Sequence, residues 1–264
     1  MNVFDWSLLK LNLKRYCRYI VYAIVLFLLL DQVGACSQTV RWPLVMIRRP
    51  FYQILYATGQ QEIPLSEKKQ VYTDYQDPNP KSKIHLRGYD ILRTFVVHYQ
   101  AYGKVGYLDT NDSLIKGWYL SSMNKKNSWT YKKVAPYDLL IVFGRMAEPV
   151  NFDNIEFNHG ENIGLIRIKK KGIYSNIKDY QNIHVIPANN RILKGVSLLH
   201  HGDDVYLEGY LIDWDRVDSL REDLYYQTAR RSGDFSKQLA GGKRALLCFQ
   251  LYLTKLIVNG YVYQ

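Results

Sequence analysis

The stretch NIHVIPANNRILKGVSLLHHGDDVYLEGYLIDW, residues 182–214, contains three consecutive periodic patterns. A short apolar run ends at Pro187, and Asn189–Leu199 then places its apolar residues at helical spacing. After a Gly-Asp turn, Asp204–Trp214 alternates in side-chain character with Gly209 at its centre. Alternation over this length indicates a strand, and a glycine within it indicates a bulge or a bend. The stretch therefore predicts a strand, a helix and a second strand in that order.

The rest of the body, residues 84–264, is rich in short β-type runs separated by turn signals. These predicted strands are Ile84–Tyr99, Ile115–Leu120, Asn151–Phe157, Gly164–Lys170 and Ala245–Val258. Asn259-Gly260 predicts a tight hairpin, whereas Pro136 before an apolar run predicts a helical turn over 136–143. Together these patterns predict a mainly β fold with a few short helices, arranged as a small closed or half-open β-barrel.

The first 36 residues carry the pattern of an export signal. Four basic residues come before the apolar run Tyr19–Leu30: Lys10, Lys14, Arg15 and Arg18. This order favours a cytoplasmic N-terminus and export of the remainder. Three alternatives are open: a signal peptide cleaved after Ala35, a lipoprotein signal with Cys36 as the lipid-bearing residue, or an uncleaved signal anchor that forms a membrane helix.

Composition divides the chain into three predicted parts. Residues 1–36 form the signal or anchor, residues 37–83 form a membrane-proximal stalk or linker, and residues 84–264 form an extracytoplasmic β-rich domain. Within the stalk, Thr39–Tyr56 is apolar but carries arginines and prolines, which predicts an amphipathic surface segment. The predicted location is the bacterial cell envelope, with everything after about residue 36 periplasmic or extracellular.

The formal net charge of +11 permits an anionic partner, but its distribution argues against nucleic acid. The basic residues are scattered, and the sequence contains neither a recognition-helix pattern nor an arginine-rich stripe. We expect the membrane and other envelope proteins as partners, and the sequence predicts no cofactor. The three cysteines fit neither zinc spacing nor a disulfide framework. His200-His201 beside Asp203 predicts a turn rather than a metal site.

Four segments carry a resemblance to an uncharacterised family of exported or membrane-anchored Gram-negative bacterial proteins. They are Val142–Ala147, Asn182–Ala188, Gly202–Leu211 and Cys248 with the apolar strand that follows it. The family has an acidic residue after the cysteine, where this chain has Phe249. The resemblance implies an exported or anchored β-rich protein and assigns no activity.

A weaker similarity is to sortases, the membrane-anchored β-barrel cysteine transpeptidases. It rests on the order of His184, Gly202-Asp203 and Cys248 along the chain. The similarity implies a Cys248 thiolate as nucleophile, His184 as acid and a cation that holds the oxyanion. The arginine expected after the cysteine is missing, so Arg230 is the residue predicted to replace it.

Two hypotheses of function follow. The first is a non-enzymatic, membrane-tethered β-domain that serves as a binding or structural component of an envelope assembly. It treats His184 as a hydrogen-bonded strand histidine facing away from Ile183 and Val185, and Cys248 as a buried core thiol. The second is a sortase-like cysteine transpeptidase or hydrolase that uses Cys248 and His184, with Arg230 as the cation.

Overall fold

A computed structural model describes residues 22, 49–63, 70–74, 81–110, 133–160, 163–216 and 248–264. This part of the chain is mainly β, as predicted. The predicted strand Ile115–Leu120, the export signal and Arg230 lie outside the described residues.

The described ranges contain eleven strands, which we number in chain order. They are β1 (Gly59–Gln60), β2 (Gln70–Asp74), β3 (Lys81–Leu86), β4 (Tyr89–Thr110), β5 (Tyr137–Val142), β6 (Ile155–Gly160), β7 (Ile163–Ile168), β8 (Tyr180–Pro187), β9 (Asp204–Arg216), β10 (Phe249–Val258) and β11 (Tyr261–Tyr263). The α-helical segments are α1 (residues 49–56), α2 (Pro149–Phe152) and α3 (Asn190–Ser197).

Five strands pair in a closed ring. β4 pairs antiparallel with β5, β5 antiparallel with β8, β8 parallel with β10, β10 antiparallel with β9, and β9 antiparallel with β4. β4 bends along its 22 residues, since its registers shift at Phe95/Val97 and at Val105/Tyr107. Such irregularities curve a strand and allow a sheet to close. β1, β2, β3 and β11 extend the sheet beyond the ring, and β6 and β7 form a separate hairpin.

Alternate residues of the ring strands form the main hydrophobic core, because successive side chains of a strand point to opposite faces. The members from β5, β8 and β10 include Leu139, Ile141, Ile183, Val185, Phe249, Leu251 and Leu253. Helix α3 adds Ile192 and Val196 to the same cluster. The helix begins after Asn189, whose side chain accepts a hydrogen bond from the Ile192 backbone N–H.

The predicted strand-helix-strand order of residues 182–214 is confirmed by β8, α3 and β9. The predicted irregularity at Gly209 is also present. The extra residue belongs to the partner strand β10, whose register shifts between Leu253 and Lys255. The Asn259-Gly260 hairpin is confirmed too, since both residues have positive φ.

Three local predictions are wrong. Ile84–Tyr99 is not one strand, because β3 ends at Leu86, β4 begins at Tyr89, and the two pair as a hairpin. Pro136 leads into strand β5 rather than a helical turn, and β5 is almost entirely buried. A short apolar run buried on both faces has no period that separates strand from helix. Asn151–Phe157 is not one strand, because α2 ends at Phe152 and β6 begins at Ile155.

Part of the predicted stalk packs on the ring. β1 pairs with β11 and β2 pairs with β4, while Tyr52 and Tyr56 of α1 contact the main core. Phe51, Ile54 and Leu55 of the same helix are exposed. None of the helices among the described residues has the length and apolar character needed to span a bilayer.

Three smaller apolar clusters lie outside the main core, and two of them flank the middle of β8. One contains Leu140 and Val142 of β5 together with α2 and the β6–β7 hairpin. The other contains Ile186, Ile212 and Trp214 together with the β3–β4 hairpin and Val134-Ala135. Along β8, Tyr180 belongs to the first cluster and Ile186 to the second. Asn182 and His184 lie between them, on the same side of the strand.

Candidate active site

The site is built on three neighbouring strands, β5, β8 and β10. Asp138 of β5 is directly opposite His184 of β8 in the antiparallel register. Asp138 Oδ1 is hydrogen-bonded to His184 Nδ1, and both side chains are buried. Ile183 and Val185 belong to the main core, so His184 faces away from them, as the alternating pattern predicts.

Cys248 stands at the start of β10, which runs parallel to β8. Because Phe249 pairs with Ile183 and Gln250 with His184, Cys248 falls alongside Asn182. Asn182 Nδ2 donates a hydrogen bond to Cys248 Sγ over 3.2 Å. Cys248 is only partly buried and forms no disulfide with another described residue. The core-thiol interpretation of Cys248 is therefore wrong, because the sulfur lies on the outside of the ring with polar neighbours.

His184 connects the carboxylate to the thiol. Burial by itself lowers the pKa of His184, but the charge of Asp138, the charge of Cys248 and hydrogen bonds with both side chains raise it to about 10. The imidazole is therefore protonated at neutral pH. A positive ring held between a carboxylate and a sulfur is the arrangement that activates cysteine nucleophiles.

A further polar side chain, Gln250, lies beside His184 on strand β10. Gln250 is the register partner of His184 on β10, and its Oε1 accepts a hydrogen bond of 3.4 Å from Trp214 Nε1. Both residues are buried. The two outer apolar clusters thus enclose a band of polar side chains, and Cys248 at its end is the partly exposed member.

The structure brings together two of the three predicted site residues, His184 and Cys248. Arg230, the third, lies outside the described residues. Sequence reasoning missed Asp138 and Asn182. Asn182 could have been found, since it precedes His184 by two positions and so shares its face of the strand. Asp138 joins them only through the pairing of β5 with β8, which nothing local in the sequence specifies.

A second buried polar cluster, at the opposite end of β9, surrounds Asp203. Its carboxylate accepts hydrogen bonds from Arg49 Nη2 at 2.7 Å, the His200 backbone N–H at 2.9 Å and Asn259 Nδ2 at 2.9 Å. His200 Nδ1 lies 3.1 Å from Asp203 Oδ1, the oxygen that also accepts from Asn259. Burial raises the pKa of Asp203, but His200 and Arg49 lower it below its ordinary value. These contacts join α1, the 200–203 turn and the β10–β11 hairpin.

The part of the chain that the structure describes holds no group of three or more His, Cys, Asp or Glu side chains that could bind a metal ion. Comparisons with protein-family models, curated proteins and solved structures found no match. The chemistry of the site must therefore be argued from its own residues.

Proposed function

We propose that the protein is a cysteine acyl transferase or hydrolase in which Cys248 is the nucleophile, His184 the acid and base, and Asp138 the residue that orients His184. The observation that carries the proposal is the Asp138–His184 hydrogen bond beside Cys248, which is only partly buried and close enough to His184 to raise the pKa of the imidazole. The arrangement satisfies the general requirement for a nucleophile, a base and a third group that orients the base.

The reaction proceeds in two balanced steps. The Cys248 sulfur, having given its proton to His184, attacks a substrate carbonyl carbon, and the carbonyl electrons move onto oxygen. When that oxyanion collapses, the bond to the leaving group breaks, and His184 gives its proton to the leaving amine or alcohol. The product of this step is a thioester on Cys248. A water molecule or an amine then attacks the thioester carbon, with His184 as the base that takes the incoming proton, and the C–S bond breaks to release the acyl product and the Cys248 thiolate.

The electrostatics of His184 suit both steps. Asp138 and Cys248 both raise the pKa of His184, which keeps the imidazole protonated and ready to donate. Formation of the thioester removes the contribution of Cys248, so the pKa of His184 falls as the second step begins. Asp138 remains in place and holds the ring in a fixed orientation, as the carboxylate of a Ser-His-Asp triad does.

The test is the reactivity of Cys248 in the full-length chain. Iodoacetamide labelling at pH 7, quantified per cysteine by mass spectrometry, should be fast at Cys248 and at least 10-fold slower in His184→Ala. p-Nitrophenyl acetate should give a burst of one p-nitrophenol per chain that is absent in Cys248→Ala. Labelling no faster than in the urea-unfolded chain, together with no burst, would leave the non-enzymatic binding or structural component as the better hypothesis.

We also propose that the chain is tethered to a membrane, with residues after about 36 exported. Support comes from the basic and apolar pattern of residues 10–30 and from helix α1, where Phe51, Ile54 and Leu55 expose an apolar surface. Protease added to intact spheroplasts should cleave beyond residue 60, whereas protection there would contradict export. In the same setting, the ring of strands would constitute a small exported β-barrel with the site on its outer face.

A further inference from the structure

We infer that Asn182 is the side chain that holds the oxyanion during acyl transfer at Cys248. This inference rests on the proposed function and adds the group that stabilises the transition state. Cysteine chemistry at a carbonyl needs such a donor, because the carbonyl oxygen becomes negative as sulfur attacks. The sequence offered Arg230 for this task, by similarity to sortases. The described residues supply a neutral amide at the sulfur itself.

The position of Asn182 meets the geometric requirement. Its Nδ2 donates to Cys248 Sγ over 3.2 Å. In the tetrahedral intermediate the oxygen is bonded to the carbon that has just joined the sulfur, so it lies close beside Sγ. A donor directed at the sulfur in the free enzyme reaches that oxygen with a small rotation of the carboxamide. The hydrogen bond to sulfur is then exchanged for one to the oxyanion.

Asn182 is also held in place before the reaction begins. It is fully buried, and its backbone pairs with Leu140 of β5. On its other side stands Cys248, at the start of β10. A donor fixed in this way spends little reorganisation energy as charge develops, which is the source of oxyanion-site catalysis. Its low-dielectric surroundings further strengthen a hydrogen bond to an anion.

Two chemical probes can distinguish a residue that stabilises the oxyanion from a residue that only positions the Cys248 sulfur. Alkylation by iodoacetamide displaces iodide from a saturated carbon and forms no oxyanion, whereas acylation by p-nitrophenyl acetate forms one. Both reactions use the same Cys248 sulfur. A residue that holds the oxyanion affects acylation alone, and a residue that only positions or stabilises the sulfur affects both reactions together.

The experiment measures both rates in the full-length wild type and in Asn182→Ala, Asn182→Asp and Asn182→Ser. We expect the acylation rate of Asn182→Ala to fall about 100-fold, the loss typical of removing one oxyanion donor, while alkylation changes less than about 3-fold. Asn182→Asp should lose at least as much acylation, because its carboxylate repels the oxyanion. Asn182→Ser keeps a donor and should recover part of the rate, and it serves if Asn182→Ala does not fold.

Asn151→Ala is the matched control, since Asn151 is a buried asparagine on α2 whose side chain is hydrogen-bonded to the Arg145 carbonyl and the Tyr174 backbone N–H, away from the site. Its ratio of acylation to alkylation should equal that of the wild type. If the Asn182 variants lose both reactions equally, or if acylation is unchanged, Asn182 does not hold the oxyanion. The proposed acyl-transfer function would be unaffected by that result. Absence of a burst in the wild type would overturn the acyl-transfer function itself, and the inference with it.

Discussion

Asp138 and His184 face each other directly across the β5–β8 pair, and both are almost completely shielded from water. Removing two charges from water costs several kcal/mol per ion, and their attraction repays this only with good geometry and further hydrogen bonds. A well-packed apolar pair would fill the same space at lower cost. The proposed acyl transfer gives this pair a use, because Cys248 lies close enough to raise the pKa of His184, and strongly perturbed titratable groups are common at functional sites.

Asp138→Asn should lower the pKa of His184 from about 10, because burial then acts without the opposing charge of Asp138. A histidine ring titration followed by NMR measures the change directly. We also expect the burst rate with p-nitrophenyl acetate to fall about 100-fold or more, since the amide favours the wrong tautomer of the ring.

The chain provides a control for this substitution in a second aspartate–histidine pair. His85 Nδ1 lies 2.9 Å from Asp90 Oδ1 on the β3–β4 hairpin, where both side chains are exposed. Asp90→Asn should leave the burst rate and the His184 titration unchanged. A similar loss of rate in both variants would show that the effect of Asp138→Asn is not specific to the site.

Stability should fall as the pH rises from about 6.5 towards 10. The folded-state pKa of His184, about 10, lies above its ordinary value of 6.5. Its contribution is therefore fully present below pH 6.5 and is lost as the pH rises through the folded-state value. Urea unfolding at pH 6, 8 and 10 measures this trend. His184→Gln should flatten this part of the slope and destabilise the protein at pH 7 by about 3 kcal/mol, because Asp138 is left buried without its cation.

The elements that could be predicted from the sequence are those specified by a local pattern of residues, and the elements that could not depend on pairing between distant segments. β8, α3 and β9 were predictable because their periodicity is local, and the helix also has an Asn cap. β5 was predicted wrongly because Leu139 and Leu140 are both buried, on opposite faces of the strand, which removes the alternation that identifies a strand. The closure of the ring through the parallel β8–β10 pair joins segments more than 60 residues apart, and no local pattern encodes it.

The residues of the candidate site also divide into those that a local pattern identifies and those that only strand pairing brings together. His184 and Cys248 could be singled out by residue type, and the alternation around His184 gave its direction correctly. The apolar sequence neighbours of Cys248, which are Leu246, Leu247 and Phe249, predicted a core thiol. That prediction is wrong because the side chain that contacts the sulfur, Asn182, comes from β8. Asp138 required the β5–β8 register, and β5 itself had been assigned to a helical turn.

Arg49→Met should destabilise the protein by about 3 kcal/mol and release α1 from the ring. The guanidinium bonds both the Asp203 carboxylate and the Leu198 carbonyl, and Asp203 would remain buried with one cationic partner fewer. Urea unfolding gives the energy, and limited proteolysis between residues 49 and 58 reports the release. Arg191→Met, at an exposed arginine of α3, is the control and should change stability by less than about 0.5 kcal/mol. Equal effects of the two variants would contradict a structural role for the Arg49–Asp203 pair.

Gly209→Ala should destabilise the protein by roughly 2 kcal/mol or more and also disturb the site. β9 is paired on both sides at this point, with Tyr99 of β4 and Leu253 of β10. A Cβ at Gly209 would overlap the Tyr252 carbonyl oxygen and approach Leu253 Cα to 3.0 Å, and backbone atoms cannot rotate away. The strain must move β10, at a cost typical of overpacking.

Because β10 begins directly after Cys248, its displacement should also separate the sulfur from Asn182 and His184. We therefore expect Gly209→Ala to slow iodoacetamide labelling of Cys248 by several-fold, measured in buffer where the variant remains folded by circular dichroism. Gly59→Ala is the control, since no atom lies within 4 Å of a Cβ placed there. A lower urea midpoint with normal labelling would contradict a displacement of Cys248. It would mean that the backbone adjusts at the bulge opposite Gly209 and that the start of β10 does not move.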